Sequence, residues 1–266
     1  MLTYFLLYGL FGAFAGILAG LLGIGGGLII VPILTFMFNL QNFPQEHIMH
    51  LALGTSLASI IFTSCSSAYS HHKHGAVNWD IVKKISLGII IGTYCGSYLA
   101  SKIPAHVLQI IFSCFIFYVS SQMFFGKKNL GTKEMPKTFG LSITGLIIGS
   151  ISSLVGIGGG TLSVPFMLWH SVEMRKAIAT SAAIGIPIAV SGCIGYLING
   201  ISATNLPQYA YGYIYLPALI GLVLFSMLTA PIGAHFTHTL PVAKIKKFFA
   251  CLLIIVGIRM LYSALY

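Results

Sequence analysis

The sequence predicts an all-α integral membrane protein built from two homologous halves, and three observations carry that prediction. Of 266 residues, 57% are hydrophobic and only 7% are charged, with a mean hydropathy of +0.94; a soluble domain carries about 25% charged residues to face water. The apolar residues gather into runs close to the ~20 residues that span a bilayer as helix. A series of landmarks from the first half also returns, in the same order, in the second.

The elements follow from these runs. Leu2 to Leu22 is apolar and leads into GIGGG at Gly23 to Gly27. The short apolar piece after it, Leu28 to Asn39, would reach only ~18 Å as a helix, well short of a ~30 Å core. Ordinary spans are expected at Leu51–Ser70, Ile85–Ser101 and Ala105–Phe125. The polar stretch GKKNLGTKEMPK (Gly126 to Lys137) cannot sit in lipid. The pattern then restarts with Phe139 to Val155, a second GIGGG at Gly156 to Gly160, the short piece Thr161 to His170, and spans at Ile178–Ile198, Ile214–Ala234 and Phe248–Leu265. This makes eight hydrophobic segments and up to ten helical pieces. The division is a first membrane repeat 1–125, a basic linker 126–138 and a second membrane repeat 139–266.

The repeat is specific. LLGIGGGLIIVP (Leu21 to Pro32) reappears as LVGIGGGTLSVP (Leu154 to Pro165), 133 positions later. Gly54-Thr55-Ser56 matches Ala179-Thr180-Ser181, and Gly75 matches Gly200, both at 125. Gly96 and Pro104 match Gly233 and Pro241 at 137. Lone glycine clusters recur by chance, but an ordered series indicates duplication. Loop charge then sets orientation. Lys73, Lys83 and Lys84 flank the loop of Gly75, whereas Asn39 to His50 has no Lys or Arg. The loop around Gly200 has none either, and Arg175, Lys176, Lys244, Lys246 and Lys247 flank its neighbours. Matching loops of opposite bias imply inverted halves, each with a glycine-broken hairpin plus three transmembrane helices, both termini outside and the central basic loop cytoplasmic. Eight plain spans would instead give parallel halves.

Several function classes drop out. The net charge of +10, from 14 Lys+Arg against 4 Asp+Glu, lies in short loops rather than on a basic face with interleaved aromatics, so nucleic acid is not a partner. Cys65, Cys95, Cys114, Cys193 and Cys251 form no CxxC, which removes disulfide and zinc frameworks. His71, His72 and His74 share no single helix face and read as a solvated loop end, not a metal site. Trp79, Tyr209, Tyr211, Tyr213 and Tyr215 read as interface aromatics. GxSxG, HExxH and Walker A patterns are absent, and neither a cofactor nor an enzyme is expected. Ala13-Phe14-Ala15 mimics a signal-peptidase site but follows no basic region, so the segment reads as mature protein.

The residues that could carry chemistry are backbone amides and hydroxyls. Glycine permits close backbone approach and positive φ, and each GIGGG run precedes a short helix whose first N–H groups lack partners. Such a terminus, at the positive end of the dipole, binds anions, and two from an inverted repeat converge near the midplane. Pro32 and Pro165 are expected in or near the first turn. The competing role for these glycines is tight helix packing alone. Thr55, Ser59, Thr63, Ser66 or Ser67, and Ser70 form a hydroxyl stripe that either lines an aqueous path or bonds its own helix carbonyls. The candidate substrate-binding set is Gly25, Gly26, Gly27, Thr55, Ser56, Gly158, Gly159, Gly160, Thr161, Thr180 and Ser181. Glu46, Asp80, Glu134 and Glu173 all map to loops or span edges, so no buried carboxylate offers itself to a cation. An anion is the favoured substrate, and protons as coupling ion would use a histidine or travel on the substrate.

These residues resemble the TauE/SafE family of bacterial permeases. GxGGGxxxVP in both halves, Thr55 to Leu57 ahead of a Ser-rich helix end, and HHKHGAVNWD (His71 to Asp80) carry the likeness over essentially the whole chain. The resemblance implies a multi-pass carrier in the bacterial inner membrane that exports sulfite, sulfonates or related organosulfur anions. Its glycine signature falls on Gly23 to Gly27 and Gly156 to Gly160, and its Thr-Ser pairs on Thr55-Ser56 and Thr180-Ser181. The second half departs from the HHxxG pattern, with Leu197, Ile198 and Asn199 before Gly200. The resulting expectation is a secondary transporter of a small anion working by alternating access, in the lipid bilayer, with an anion channel as the alternative and a membrane scaffold as a third class; a homo-oligomer is compatible with it.

Overall fold

The computed structural model describes residues 2–23, 25–125, 131, 133–239 and 242–265. Ile24 of the first glycine run, most of the linker, and the repeat landmark Pro241 lie outside the described residues. Ten helices are described: α1 Leu2–Leu22, α2 Gly27–Leu40, α3 Ile48–Lys73, α4 Trp79–Lys102, α5 Ala105–Phe125, α6 Thr138–Val155, α7 Gly160–Trp169, α8 Met174–Gly200, α9 Leu216–Thr239 and α10 Val242–Leu265. Seven of them (α1, α3, α5, α6, α8, α9 and α10) are long and apolar enough to cross a membrane. α4 is equally long but falls outside that set: Asp80, Lys83, Lys84 and Lys102 crowd its ends, and Thr93, Tyr94, Ser97 and Tyr98 its middle.

α2 and α7 are the short pieces, ~21 Å and ~15 Å as helices. Each ends in the same way. Asn42 (φ 55°) and Ser171 (φ 64°) take the left-handed conformation two residues past the helix. Phe43 and Val172 then donate their amides back to the Phe38 and Met167 carbonyls, the 6→1 bond of a Schellman terminus. Phe38 and Phe43 stack at 5.1 Å. Pro32 and Pro165 each stand at the sixth helical position, one turn deeper than the sequence suggests, because both helices begin on the last glycine of their run.

Helix directions follow from close glycine approaches. A Cβ on Gly12, Gly16 or Gly20 would strike Leu222, Ser226 or Ala230 in turn, so α1 and α9 run parallel. Gly88, Gly92 and Gly96 approach Ser142, Leu146 and Ser150 in the same way, so α4 and α6 run parallel. Both are small-residue ladders at i, i+4 and i+8, which bring backbones together without a side chain between them. α3 and α8 form the buried centre and cross antiparallel: Gly54 meets Tyr196 and Gly185 meets Ser64. The first helix of each half therefore packs on the fourth of the other, and the third helices pack on each other. The corresponding helices α1 and α6, and α3 and α8, point opposite ways, which is consistent with the inverted arrangement.

One element departs from that symmetry. The connection from α3 to α4 is the short turn 74–78, but that from α8 to α9 spans 201–215 and contains a two-stranded ribbon, β1 Ala210–Tyr211 and β2 Ile214–Tyr215. Ile214 and Tyr215, expected at the head of a span, are instead strand. Tyr209 and Tyr211 are exposed, as an interfacial role requires, but Tyr213 and Tyr215 turn inward and are buried. Tyr213 stacks on His50 at 4.9 Å, and Tyr215 meets Phe38 and Phe43 edge-on. Burial pushes both phenols above their ordinary pKa.

Candidate functional site

The two glycine runs meet. An added Cβ on Gly25 would lie 3.2 Å from Gly158 Cα, and one on Gly27 would collide with the Gly156 carbonyl and come within 2.8 Å of Ile157 Cα. Ile60, at mid-length of α3, touches both Gly25 and Gly27; Ile184 and Ile188, at mid-length of α8, touch Gly159. The contact thus lies halfway along the two central helices, and Gly25, Gly26, Gly27, Gly158, Gly159 and Gly160 are all buried.

The local backbone explains why glycine stands here. Gly23, Gly25 and Gly26 have φ of 68°, 71° and 83°, and Gly156 has 61°, values that L side chains rarely adopt. The two runs are not identical, since Gly159 keeps ordinary right-handed geometry. The break still leaves both short helices with unused donors. Gly26 O accepts from Ile29 and Ile30, and Gly159 O accepts from Leu162 and Ser163. Among the described residues the amides of Gly25, Gly26, Gly27 and Leu28 have no acceptor, and neither do those of Gly158, Gly159, Gly160 and Thr161. Thr161 adds a hydroxyl that is buried and unpartnered among the described residues. Its counterpart 133 positions earlier is Leu28, so the hydroxyl comes from one side only.

The Thr-Ser pairs sit around this contact and are already engaged with backbone. Ser56 Oγ donates to the Gly156 carbonyl at 2.7 Å, and Ser181 Oγ shares its proton between the Ile178 carbonyl of its own helix at 2.7 Å and the Gly23 carbonyl at 3.1 Å. Thr55 Oγ1 accepts the amide of Tyr215, and Thr180 Oγ1 accepts the amide of Asn78, each at 3.0 Å. The bonds to Gly156, Gly23, Tyr215 and Asn78 all join one half to the other. Along the hydroxyl stripe, Ser59 and Thr63 bond carbonyls of their own helix, Ser56 and Ser59 respectively, and Ser66 reaches the Met227 carbonyl on α9. Ser64 and Ser67, which the four-residue spacing only partly singles out, are buried with no partner among the described residues.

A further matched pair escaped the sequence reading. His71 lies 3.1 Å through Nε2 from the Gly20 carbonyl, and Tyr196 donates its hydroxyl to the Ser153 carbonyl at 2.9 Å. Tyr196 stands 125 positions after His71, and Ser153 stands 133 after Gly20, the two offsets of the repeat itself. The second half therefore does fill the histidine position, with a different side chain in a corresponding bond. His72 instead accepts from Trp79 Nε1 at 3.1 Å, and His74 bonds the Ser70 carbonyl. Among the described residues no three His, Cys, Asp or Glu side chains gather as metal ligands would.

All four acids are exposed, leaving the buried contact without a fixed negative charge among the described residues. The first turns of α2 and α7, with the positive ends of their helix dipoles, meet at this contact, and among the described residues eight of their amides have no acceptor. That arrangement can hold an anion by backbone donors alone.

Comparisons with known proteins give the family. The profile of the family described as sulfite exporter TauE/SafE matches residues 8–260. A probable membrane transporter protein of Haemophilus influenzae is 38% identical over 262 residues, covering 98% of this chain and 99% of that protein. The probable membrane transporter proteins YdhB of Bacillus subtilis and MJ0441 of Methanocaldococcus jannaschii are each 28% identical, covering 93% and 94% of this chain and 96% and 92% of their own lengths. No solved structure matches the chain significantly.

Proposed function

The chain belongs to the sulfite exporter TauE/SafE family and is a membrane transporter; from that premise we propose that it carries a small oxyanion, such as sulfite or an organosulfonate, by alternating access around the paired glycine runs. The observation that carries this reading is the set of amides at Gly25 to Leu28 and Gly158 to Thr161 that have no acceptor among the described residues, brought together by two opposed half-length helices at mid-depth. An oxyanion needs several convergent donors and no neighbouring carboxylate. Gly25, Gly26, Gly27, Gly158, Gly159, Gly160 and Thr161 supply the donors. Thr55, Ser56, Thr180 and Ser181 complete the site by holding its walls in register.

The direction of the chain in the membrane follows from its cations. The helix connections α3–α4, α5–α6, α7–α8 and α9–α10, with the turns beside them, carry every Lys and Arg except Lys102 and Arg259. The described helix ends that these four connections join lie at one end of the bundle. By the positive-inside rule that end, with the central linker, faces the cytoplasm of a bacterial inner membrane, and both chain ends lie outside. Export then runs from the basic end to the end capped by the β1–β2 ribbon.

Purified protein in proteoliposomes, loaded with a panel of labelled anions with and without a pH gradient, tests the reading. Saturable flux that exchanges with unlabelled anion is expected; unsaturated conductance would make the protein a channel. Gly26→Val and Gly159→Val should abolish the flux while leaving membrane insertion intact. Flux unchanged in both variants would overturn the site.

A further inference from the structure

The two Thr-Ser pairs bond differently, and the difference sorts by side. The serines reach toward the central glycine contact, whereas the threonines reach toward opposite ends of the bundle. Thr180 Oγ1 takes the amide of Asn78, the residue that caps α4 at the basic end and whose own side chain accepts from Ile81 N. Thr55 Oγ1 takes the amide of Tyr215, immediately before α9, at the end where the β1–β2 ribbon lies. Asn78 and Tyr215 are 137 positions apart, the offset that relates α4 to α9 in the repeat.

Each threonine thus belongs to a central helix of one half and fastens the start of the outer helix of the other. Both hydroxyls are fully buried. The fit is close on the ribbon side, where a Cβ on Gly54, next to Thr55, would collide with the Tyr213 carbonyl. The Tyr215 bond is buried, whereas the Asn78 bond is part-buried at an exposed residue. An N–H sheltered from water that loses its acceptor is costly, so each bond favours the state in which its end is packed shut, and the ribbon-end bond does so more strongly.

We propose that Thr55 and Thr180 are opposed latches: Thr55 holds the ribbon end of the transport path closed, Thr180 holds the basic end closed, and a transport cycle releases them one at a time. Both are fastened here, which makes this arrangement the occluded member of the cycle, with the glycine runs sealed from both ends. The proposal rests on the carrier reading above, because only an alternating carrier needs two such latches. It assigns the threonines a role in which their oxygens accept from backbone instead of donating to substrate.

The test uses the full-length protein with its five native cysteines replaced and a single reporter, Ile60→Cys, whose parent side chain packs on Gly25 and Gly27; Ser64→Cys, one turn along, is a second reporter. A membrane-impermeant thiol reagent is applied to right-side-out and inverted vesicles. Tyr211→Cys and Lys83→Cys, at exposed positions, mark the ribbon and basic ends. Thr55→Val should speed labelling from the ribbon end by roughly tenfold, the effect of about one lost buried hydrogen bond, and not from the basic end. Thr180→Val should speed labelling from the basic end alone, by a smaller factor because its bond to Asn78 is part-buried, while Thr55→Ser and Thr180→Ser, which keep the oxygen, should label like the parent. Labelling that changes equally from both ends, or in neither variant, would overturn the latches. Anion flux is measured separately on the same proteins. Polarised labelling without any flux would leave the latches standing and remove the carrier reading; flux with unpolarised labelling would do the opposite.

Discussion

Ser56 donates its hydroxyl to the carbonyl of Gly156 across 2.7 Å, so the centre of the first half grips the first glycine of the second half's run. Ser181 returns the grip on Gly23 at 3.1 Å. Replacing Ser56 with alanine leaves the buried Gly156 carbonyl without its donor, at a cost of about 1–2 kcal/mol; Ser181→Ala should cost less, because its proton is shared with the Ile178 carbonyl at 2.7 Å. Ser56→Ala should lower Tm in detergent by several degrees, and Ser181→Ala by less. Because the two bonds flank one contact, the double variant should differ measurably from the sum of the singles. Strict additivity would show that the two runs do not act as a unit.

Gly27 and Gly75 separate two reasons for being glycine. Gly27 has no unusual φ, but any Cβ there runs into the Gly156 backbone, which has nowhere to move; Gly75 has φ 64° with nothing within 4 Å of an added Cβ. Gly27→Ala should therefore stop flux and destabilise the fold by about 1–3 kcal/mol, as overpacking does. Gly75→Ala should cost about 1 kcal/mol of local turn strain and keep flux. Equal loss in both would mean that closeness of the runs is not what matters.

Much of this arrangement was legible because duplication writes itself into spacing. GIGGG at Gly23 and Gly156, and Thr55-Ser56 with Thr180-Ser181, announced that whatever they do is done twice, and the short piece after each run could only be a half-length helix. Partner choice was not legible. Nothing local in Thr-Ser says that its hydroxyls will bond the opposite half, because that depends on how α3 and α8 cross. The jump of the offset from 125 to 137 did mark twelve additional residues between Gly200 and Gly233, but Tyr209, Tyr211, Tyr213 and Tyr215 read there as interface aromatics, and the strand pairing that turns Tyr213 and Tyr215 inward was not legible. Tyr196 was hidden because it matches His71 in position and bonding but not in chemistry, and residue-by-residue likeness misses such a substitution.

The glycine ladders Gly12-Gly16-Gly20 and Gly88-Gly92-Gly96 hold the outer helix pairs. A Cβ on Gly16 would strike Thr229 Oγ1, and one on Gly92 the Leu146 carbonyl. Gly16→Leu and Gly92→Leu should each force apart one pair, α1 from α9 or α4 from α6, and sharply reduce the yield of monodisperse protein from detergent. Wild-type yield and Tm in both would show that the ladders are loosely packed.

Tyr196→Phe removes one oxygen and keeps the ring. Tyr196 is fully buried and its hydroxyl meets the Ser153 carbonyl, so the variant should lose about 1 kcal/mol, read as a lower Tm. An unchanged Tm would separate Tyr196 from its counterpart His71 in function as well as in chemistry.

The parallel pairing of α1 with α9 makes a statement about sidedness that needs no transport assay. Phe5 and Tyr8, near the start of α1, lie against Gly221, near the start of α9, and α9 begins where the β1–β2 ribbon ends. The first residues of α1 therefore share an end with the ribbon. Each half returns through its short helix and runs three further helices, so it finishes on the side opposite its start, and the second half brings the chain back. Single cysteines at Thr3 and Ser263 should label from the same compartment as Tyr211→Cys, and Lys133→Cys from the other, using an impermeant reagent on intact cells and inverted vesicles. Because the basic connections gather at the Lys133 end, that compartment should be the cytoplasm. Labelling of Thr3 and Ser263 from opposite sides would require an even number of crossings in one half, and the two glycine runs could not then face each other from opposed half-length helices.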